Sequence, residues 1–251
     1  MSTMPEGPGS EPLRELPIPR ERDLARRMQR EAQPVISMSI PLPPDSIRLG
    51  REVGPVLGRL RNAMAEGSGV VVHLTAARRG DGVSTLAREL AAAAAAEPFC
   101  RVLLLDASEA GEAGAGTFAR PLPDLAAAYL GRGEVEVASV TSAAVSFHAT
   151  ALRGSFGTPA PGGRSLRELH EEIRAGYDLV VVDCPPILDS PFLHRLGPEP
   201  PRVVMVLQQD RTPIPIAIRA REEVALAGGN LVGVVLSRRM RPVPRILGGL
   251  F

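Results

Sequence analysis

Val70-Val71-Val72-His73-Leu74-Thr75 leads into Ala76-Ala77-Arg78-Arg79-Gly80-Asp81-Gly82-Val83-Ser84-Thr85, and that loop leads into an alanine-rich run from Leu86 to Ala96. The β-branched run predicts a buried strand, the glycine-containing stretch a loop, and the alanine-rich run a helix. This succession suits a phosphate cradle, because glycines let backbone N–H groups converge where the helix dipole begins. One part departs from the pattern. The phosphate-loop signature ends Gly-Lys-Ser/Thr, whereas here Gly82 is followed by Val83 and then Ser84, and the chain contains no lysine at all.

Downstream of the loop, Arg101 to Asp106 and Tyr177 to Asp183 each read as an apolar strand ending in an acid. Acids at the carboxyl ends of parallel strands sit where open α/β sheets bind ligands. Asp106 can hold a magnesium-bound water or act as a helix-capping or loop acid. Asp183 can project toward the phosphate loop or be a generic strand-ending residue. The prolines that follow it, Pro185 and Pro186, steer the chain off the sheet. Arg202–Leu207 and Leu231–Leu236 predict further strands around a helix from Pro213 to Gly228. A helix is expected from Arg164 to Ala175, a short one from Leu122 to Leu130, and one or two short strands between Val135 and Phe147. Residues 107–116 and 155–163 read as loops. Apolar strands alternating with helices imply an α/β fold with a mostly parallel sheet covered on both faces.

Upstream, residues 45–67 are helical in pattern, with Gly54 and Pro55 predicting two short helices or a kink. Residues 1–44 are rich in Pro, Glu and Arg and are expected to be a disordered tail, with the phosphate-loop domain spanning 45–251. Within that tail a short helix over 21–31 would carry Arg26, Arg27 and Arg30. Val35 to Ile40 is its apolar patch, suited to docking as an added strand on a partner or on the domain's own sheet. At the other end, four arginines from Arg238 to Arg245 accompany a small apolar segment. That end suits either a membrane surface or a tail folded over the domain.

The whole composition bounds the function. A net charge of +1 over 251 residues gives no reason to expect nucleic acid as a target. Cys100 and Cys184 lie beside apolar runs without metal-ligand spacing, which favours buried thiols in a reducing compartment. No apolar signal core opens the chain and no run approaches a membrane span, so a cytoplasmic, soluble protein is expected.

Five segments in order give the chain a resemblance to the bacterial tyrosine kinases of capsule and exopolysaccharide synthesis, within the division-site-selection and chromosome-partitioning class of ATPases. Gly80 to Thr85 resembles that family's phosphate loop, and Val102 to Asp106 its second Walker segment. Tyr177 to Pro186 resembles its Tyr-Asp-apolar-Asp-Thr-Pro-Pro segment, Val203 to Thr212 its later strand, and Leu231 to Ser237 its closing strand. The resemblance implies a sheet of seven or eight strands working beside a membrane polysaccharide co-polymerase or export protein, at the inner face of the membrane. It also implies ATP or ADP with magnesium, held by Arg78, Gly80, Asp81, Gly82, Val83, Ser84 and Thr85. In that transfer Gly80 and Gly82 shape the loop, Ser84 binds magnesium, Thr85 contacts phosphate, and Asp106 and Asp183 order the metal's waters.

Four departures turn the expectation away from catalysis, and no residue is assigned a catalytic role. Val83 replaces the lysine, Ser108 replaces the second acid of the Asp-x-Asp segment, and Ser237 replaces an asparagine near the base. The tyrosine cluster is missing, since Tyr129 and Tyr177 are the only tyrosines. The helix containing Glu52, Arg59 and Arg61 has no clear assembly motif, so self-association stays open. A charge-assisted hydrogen bond is worth about 1.5–3 kcal/mol, so the missing lysine weakens nucleotide binding by about one to two orders of magnitude. Phosphoryl transfer suffers more, because it depends on charge developing in the transition state. The expectation is a kinase-like regulator or scaffold; the alternative is an active ATPase or tyrosine kinase in which an arginine, Arg78, takes the lysine's place.

Overall fold

The computed structural model of the chain describes residues 35–42, 53–65, 69–98, 100–108, 118, 121–129, 134–141, 145–152, 166–195 and 200–237. The longest apolar runs become the inner strands β2 (Val70–Ala76), β3 (Val102–Asp106), β6 (Leu179–Asp183) and β7 (Arg202–Gln208). Every residue of β2, β3 and β6 is buried, which explains why they read as continuous rather than alternating patterns. Around them lie β1 (Val35–Pro41), β4 (Glu136–Thr141), β5 (Ser146–Ala151) and β8 (Asn230–Ser237).

These strands form one eight-stranded sheet in the order β1-β4-β5-β3-β6-β2-β7-β8. All neighbours are parallel except β4 and β5, so β1 and β4 run against the other six strands. The helices are α1 (Val53–Ala65), α2 (Val83–Ala95), α3 (Ala126–Tyr129), α4 (Leu166–Gly176) and α5 (Ile214–Leu226). On one face Leu57, Leu60, Leu86 and Leu90 pack with Val72, Leu74, Leu104 and Val181. On the other, Leu169, Ile173, Ala220 and Val224 pack with Val71, Leu103, Val180 and Val182. The fold is thus the expected α/β architecture, with helices on both faces of a mostly parallel sheet.

Several local expectations are resolved or changed. Of the two placements open to the apolar patch Val35 to Ile40, a partner or the domain's own sheet, the structure shows the second, as part of β1: Ile40 is buried, and Met38 and Leu42 pack against the core. Pro55 does not kink α1, because it falls in the first turn, where its missing N–H would have had no intrahelical partner. The helix expected over 122–130 contracts to α3. Pro121 and Pro123 lack the N–H that a helix would use, and Asp124 bridges to Ala151. Neither cysteine forms a disulfide; Cys184 is buried and Cys100 half-buried, and burial pushes the Cys184 thiol well up, leaving it unreactive. The expected helix over 21–31, the loop over 155–163 and the arginine-rich end beyond Ser237 lie outside the described residues. Among the described residues no helix is long and apolar enough to cross a membrane.

Candidate functional site

The loop between β2 and α2 takes its shape from two left-handed residues, Gly80 at φ 85° and Gly82 at φ 101°, a conformation that strains any residue with a Cβ. Gly82 is also the N-cap of α2, and no side chain caps that helix. Its first N–H groups therefore stay available to an anion. Asp81 does not face outward: it is 3% exposed, and its carboxylate accepts bonds from the Arg78 backbone N–H (3.3 Å) and the Thr212 hydroxyl (3.2 Å). Burial pushes the Asp81 carboxyl up, against those two bonds. The Ser237 hydroxyl donates to the Asp81 carbonyl (2.5 Å). The loop is therefore braced by the β7–α5 connection and by the end of β8.

The remaining loop positions divide by direction. Arg78, Arg79 and Gly80 are exposed, and Thr85 is exposed on the first turn of α2. Arg79 Nε lies 3.9 Å from Asp189 in the connection after β6. Val83 is half-buried and packs against the core cluster that includes Leu86 and Leu90. Its side chain serves the core, so only its backbone N–H is left to meet a ligand. Ser84 is half-buried with its hydroxyl toward Asp183.

Asp106 and Asp183 end adjacent parallel strands in register with each other. Asp106 Oδ1 accepts from the Ser108 backbone N–H (3.0 Å) and hydroxyl (2.5 Å). Behind Asp183, the Thr75 hydroxyl donates to the Pro185 carbonyl (2.7 Å), and Cys184 N–H donates to the Leu74 carbonyl (2.9 Å). These bonds fix where the chain leaves β6. Asp183 is 2% exposed. Burial pushes its carboxyl up to about 7, the Asp106 charge acts in the same direction, and the Ser84 hydroxyl and Arg88 guanidinium oppose both.

The structure thus brings Ser84, Asp106 and Asp183 together beside the loop. One hydroxyl and two mutually repelling carboxylates are a hard-oxygen donor set, the kind magnesium takes while keeping several waters. Among the described residues no group of three or more His, Cys, Asp or Glu converges. The fit is therefore to a water-rich magnesium site rather than to an all-protein cage. Magnesium bound there would neutralise the carboxylate pair and supply charge for phosphate oxygens.

Arg88, one turn after Ser84, and Thr212, the loop brace, were not singled out from sequence. The Arg88 signal was readable, since i and i+4 share a helix face. That of Thr212 was not, because it lies 131 residues from Asp81. Tyr177 is 2% exposed, with its hydroxyl 2.8 Å from His148 Nδ1 and Arg101 over its ring, and burial raises its pKa. It offers no accessible phosphate acceptor.

No family model matches the chain. The tyrosine-protein kinase YwqD of Bacillus subtilis is 29% identical over 171 residues, covering 66% of this chain and 71% of its own length. The kinase domain of the Escherichia coli tyrosine kinase ETK has the same fold, with a TM-score of 0.57 at 21% identity over 76% of this chain and 78% of that domain. The chimerical protein CapA2B2 superposes with a TM-score of 0.61 at 18% identity, over 82% of this chain and 95% of its own.

Proposed function

We propose that this chain, a relative of the bacterial tyrosine kinase domains of capsule and exopolysaccharide synthesis, is a kinase-like regulator or scaffold that holds a nucleotide without transferring its phosphate. The observation that carries this reading is the split between Val83 and its neighbours. The lysine position is given to the apolar core, while the loop glycines, Ser84, Asp106 and Asp183 keep a geometry suited to phosphate and magnesium. An intact cradle without its central cation keeps ground-state contacts and loses the charge that transfer needs. The buried Tyr177 supports the same reading, because autophosphorylation needs a reachable hydroxyl. The resemblance supports a membrane polysaccharide co-polymerase or export protein as the proposed partner, and with it the inner face of the membrane as the proposed place. ATP or ADP with magnesium is the proposed ligand.

A second reading keeps catalysis. Arg78 is exposed on the loop, always charged, and arginine binds phosphate in a fork, so it would take the lysine's place. Incubating the purified chain with radiolabelled ATP and magnesium, alone and with its membrane partner, separates the two. Binding without phosphotyrosine or hydrolysis is the expected result. Phosphotyrosine on the unmutated chain, or ATP hydrolysis lost in Arg78→Ala, would establish the second.

A further inference from the structure

At the β8 edge of the sheet an open groove of about 380 Å³ lies between α5 and β8. Five of the seven exposed large apolar side chains among the described residues belong to these two elements: Ile214 (75% exposed), Ile218 (45%), Leu226 (76%), Val234 (48%) and Leu236 (40%). Apolar side chains gathered on one edge in this way mark a surface that another surface covers. The cover is not an added strand. Val232 bulges out of the pairing with β7, because Leu231 pairs with Val203 and Gly233 with Val204, and the Arg59 guanidinium donates to the Val232 carbonyl (2.9 Å). A bulged edge with an arginine laid on it is a poor template for strand pairing, so the contact belongs to the side chains of α5 and β8.

The arrangement of charge selects the kind of partner. Asp210, just before α5, and Arg221, two turns into it, are exposed and line the groove. Neither side chain has a hydrogen-bond or ion-pair partner among the described residues. The lining is therefore neutral in sum but split, negative at one end and positive at the other. Ile214, Ile218 and Arg221 follow at i, i+4 and i+7, one stripe of the helix. The midpoint of Asp210 and Arg221 falls between Pro215 and Ile216, and that of Ile214 and Ile218 falls at Ile216. A patch whose opposite charges flank its apolar centre evenly is complementary to itself turned through 180°, which is what a two-fold contact requires. A partner of uniform charge would instead meet like charge at one end.

We propose that α5 pairs with α5 of a second copy of this chain, antiparallel about a two-fold axis near Ile216. Asp210 of each copy then meets Arg221 of the other, with Ile214 and Ile218 of both copies between them and Val234 and Leu236 alongside. Two crossing helices of roughly 20 Å make a small interface, so the association is reversible. Because Thr212 lines the same groove and donates to Asp81, the contact reaches the brace of each phosphate loop.

Sedimentation of the full chain over rising concentration tests the proposal. A reversible monomer–dimer equilibrium is expected, and a monomer at every concentration would overturn it, whatever else covers the groove. The charge pairing has its own signature. Asp210→Arg and Arg221→Asp each set like charges at both ends of the contact, so each variant should self-associate at least about tenfold more weakly than the unmutated chain. Mixed together, the two variants bring opposite charges back to both ends, and the mixture should dimerise where neither does alone. A mixture no tighter than its components would overturn the two-fold pairing. Asp210 is left-handed at φ 62°, whereas Arg221 and Ile218 are exposed on the helix, so Arg221→Asp and Ile218→Asp keep their thermal midpoints even if position 210 resists substitution. Dimer constants in these two variants equal to that of the unmutated chain would put the contact elsewhere and overturn the proposal.

Discussion

The carboxyl ends of the inner strands and the cavity beneath α4 each bury an ionisable group, and their surroundings give the two groups opposite behaviour. Asp183 on β6 meets Ser84, Asp106 and Arg88. His73 on the adjacent strand β2 pairs in register with Val182, one residue before Asp183. It lines an apolar cavity of about 50 Å³ with Leu105, Leu169, His170, Ile173 and Phe192. Its Nδ1 has no hydrogen-bond partner among the described residues. Burial lowers its pKa from 6.5 to about 3, the His170 charge acts in the same direction, and a backbone bond at Arg202 opposes both. Convergent polar partners make a buried charge usable, and their absence keeps the imidazole neutral and structural.

The acid limb of stability offers the strongest way to break this contrast. Unfolded His73 takes up a proton near pH 6.5 and folded His73 only near pH 3. The stability present above pH 6.5 is therefore lost as pH falls toward 3, by up to about 5 kcal/mol. Urea midpoints from pH 7 to pH 4 should fall steeply in the unmutated chain and less in His73→Leu. Parallel profiles would mean the cavity accepts the charged ring.

Asp183 works in the reverse sense. Its carboxyl ionises near 3.8 when unfolded and near 7 when folded, so its contribution is complete below pH 3.8 and lost as pH rises through 7. Asp183→Asn should therefore stabilise the chain at pH 8 by up to about 4 kcal/mol while abolishing the magnesium dependence of ATP binding. Magnesium should raise the pH 8 midpoint of the unmutated chain alone. A destabilised Asp183→Asn chain would recast this carboxylate as structural, like His73.

Smaller effects sharpen the picture of the loop. Val83→Lys should tighten ATP binding by about 1–3 kcal/mol in calorimetry without producing phosphotyrosine. No gain would mean that the packed Val83 has drawn the loop away from a phosphate-binding shape. Thr212→Val removes the hydroxyl that donates to Asp81 and should cost about 0.5–1.5 kcal/mol by denaturant titration. An unchanged midpoint would leave the brace to Ser237.

The inner sheet was legible because β2, β3 and β6 are buried on both faces and carry uninterrupted apolar runs. The glycine-shaped loop after β2 and the two strand-end acids were legible because glycine conformation and strand-end position are local properties. What stayed hidden was non-local. The patch Val35 to Ile40 was readable as an added strand, but nothing in Ser37, Met38 and Ser39 named its partner, β4. The direction of Val83 depended on a core assembled from distant elements. The Asp81 bonds to Thr212 and Ser237 span 131 and 156 residues, and no pattern along the chain announces them.

β1 carries a consequence for synthesis. Ser37 donates to the Val137 carbonyl, 100 residues later. At a translation speed of roughly 5–20 residues per second, β1 waits about 5–20 s after its own synthesis before its partner β4 exists. During that interval Val35, Ile36 and Ile40 belong to an unpaired strand, so chaperone binding to β1 in the nascent chain should end when β4 emerges.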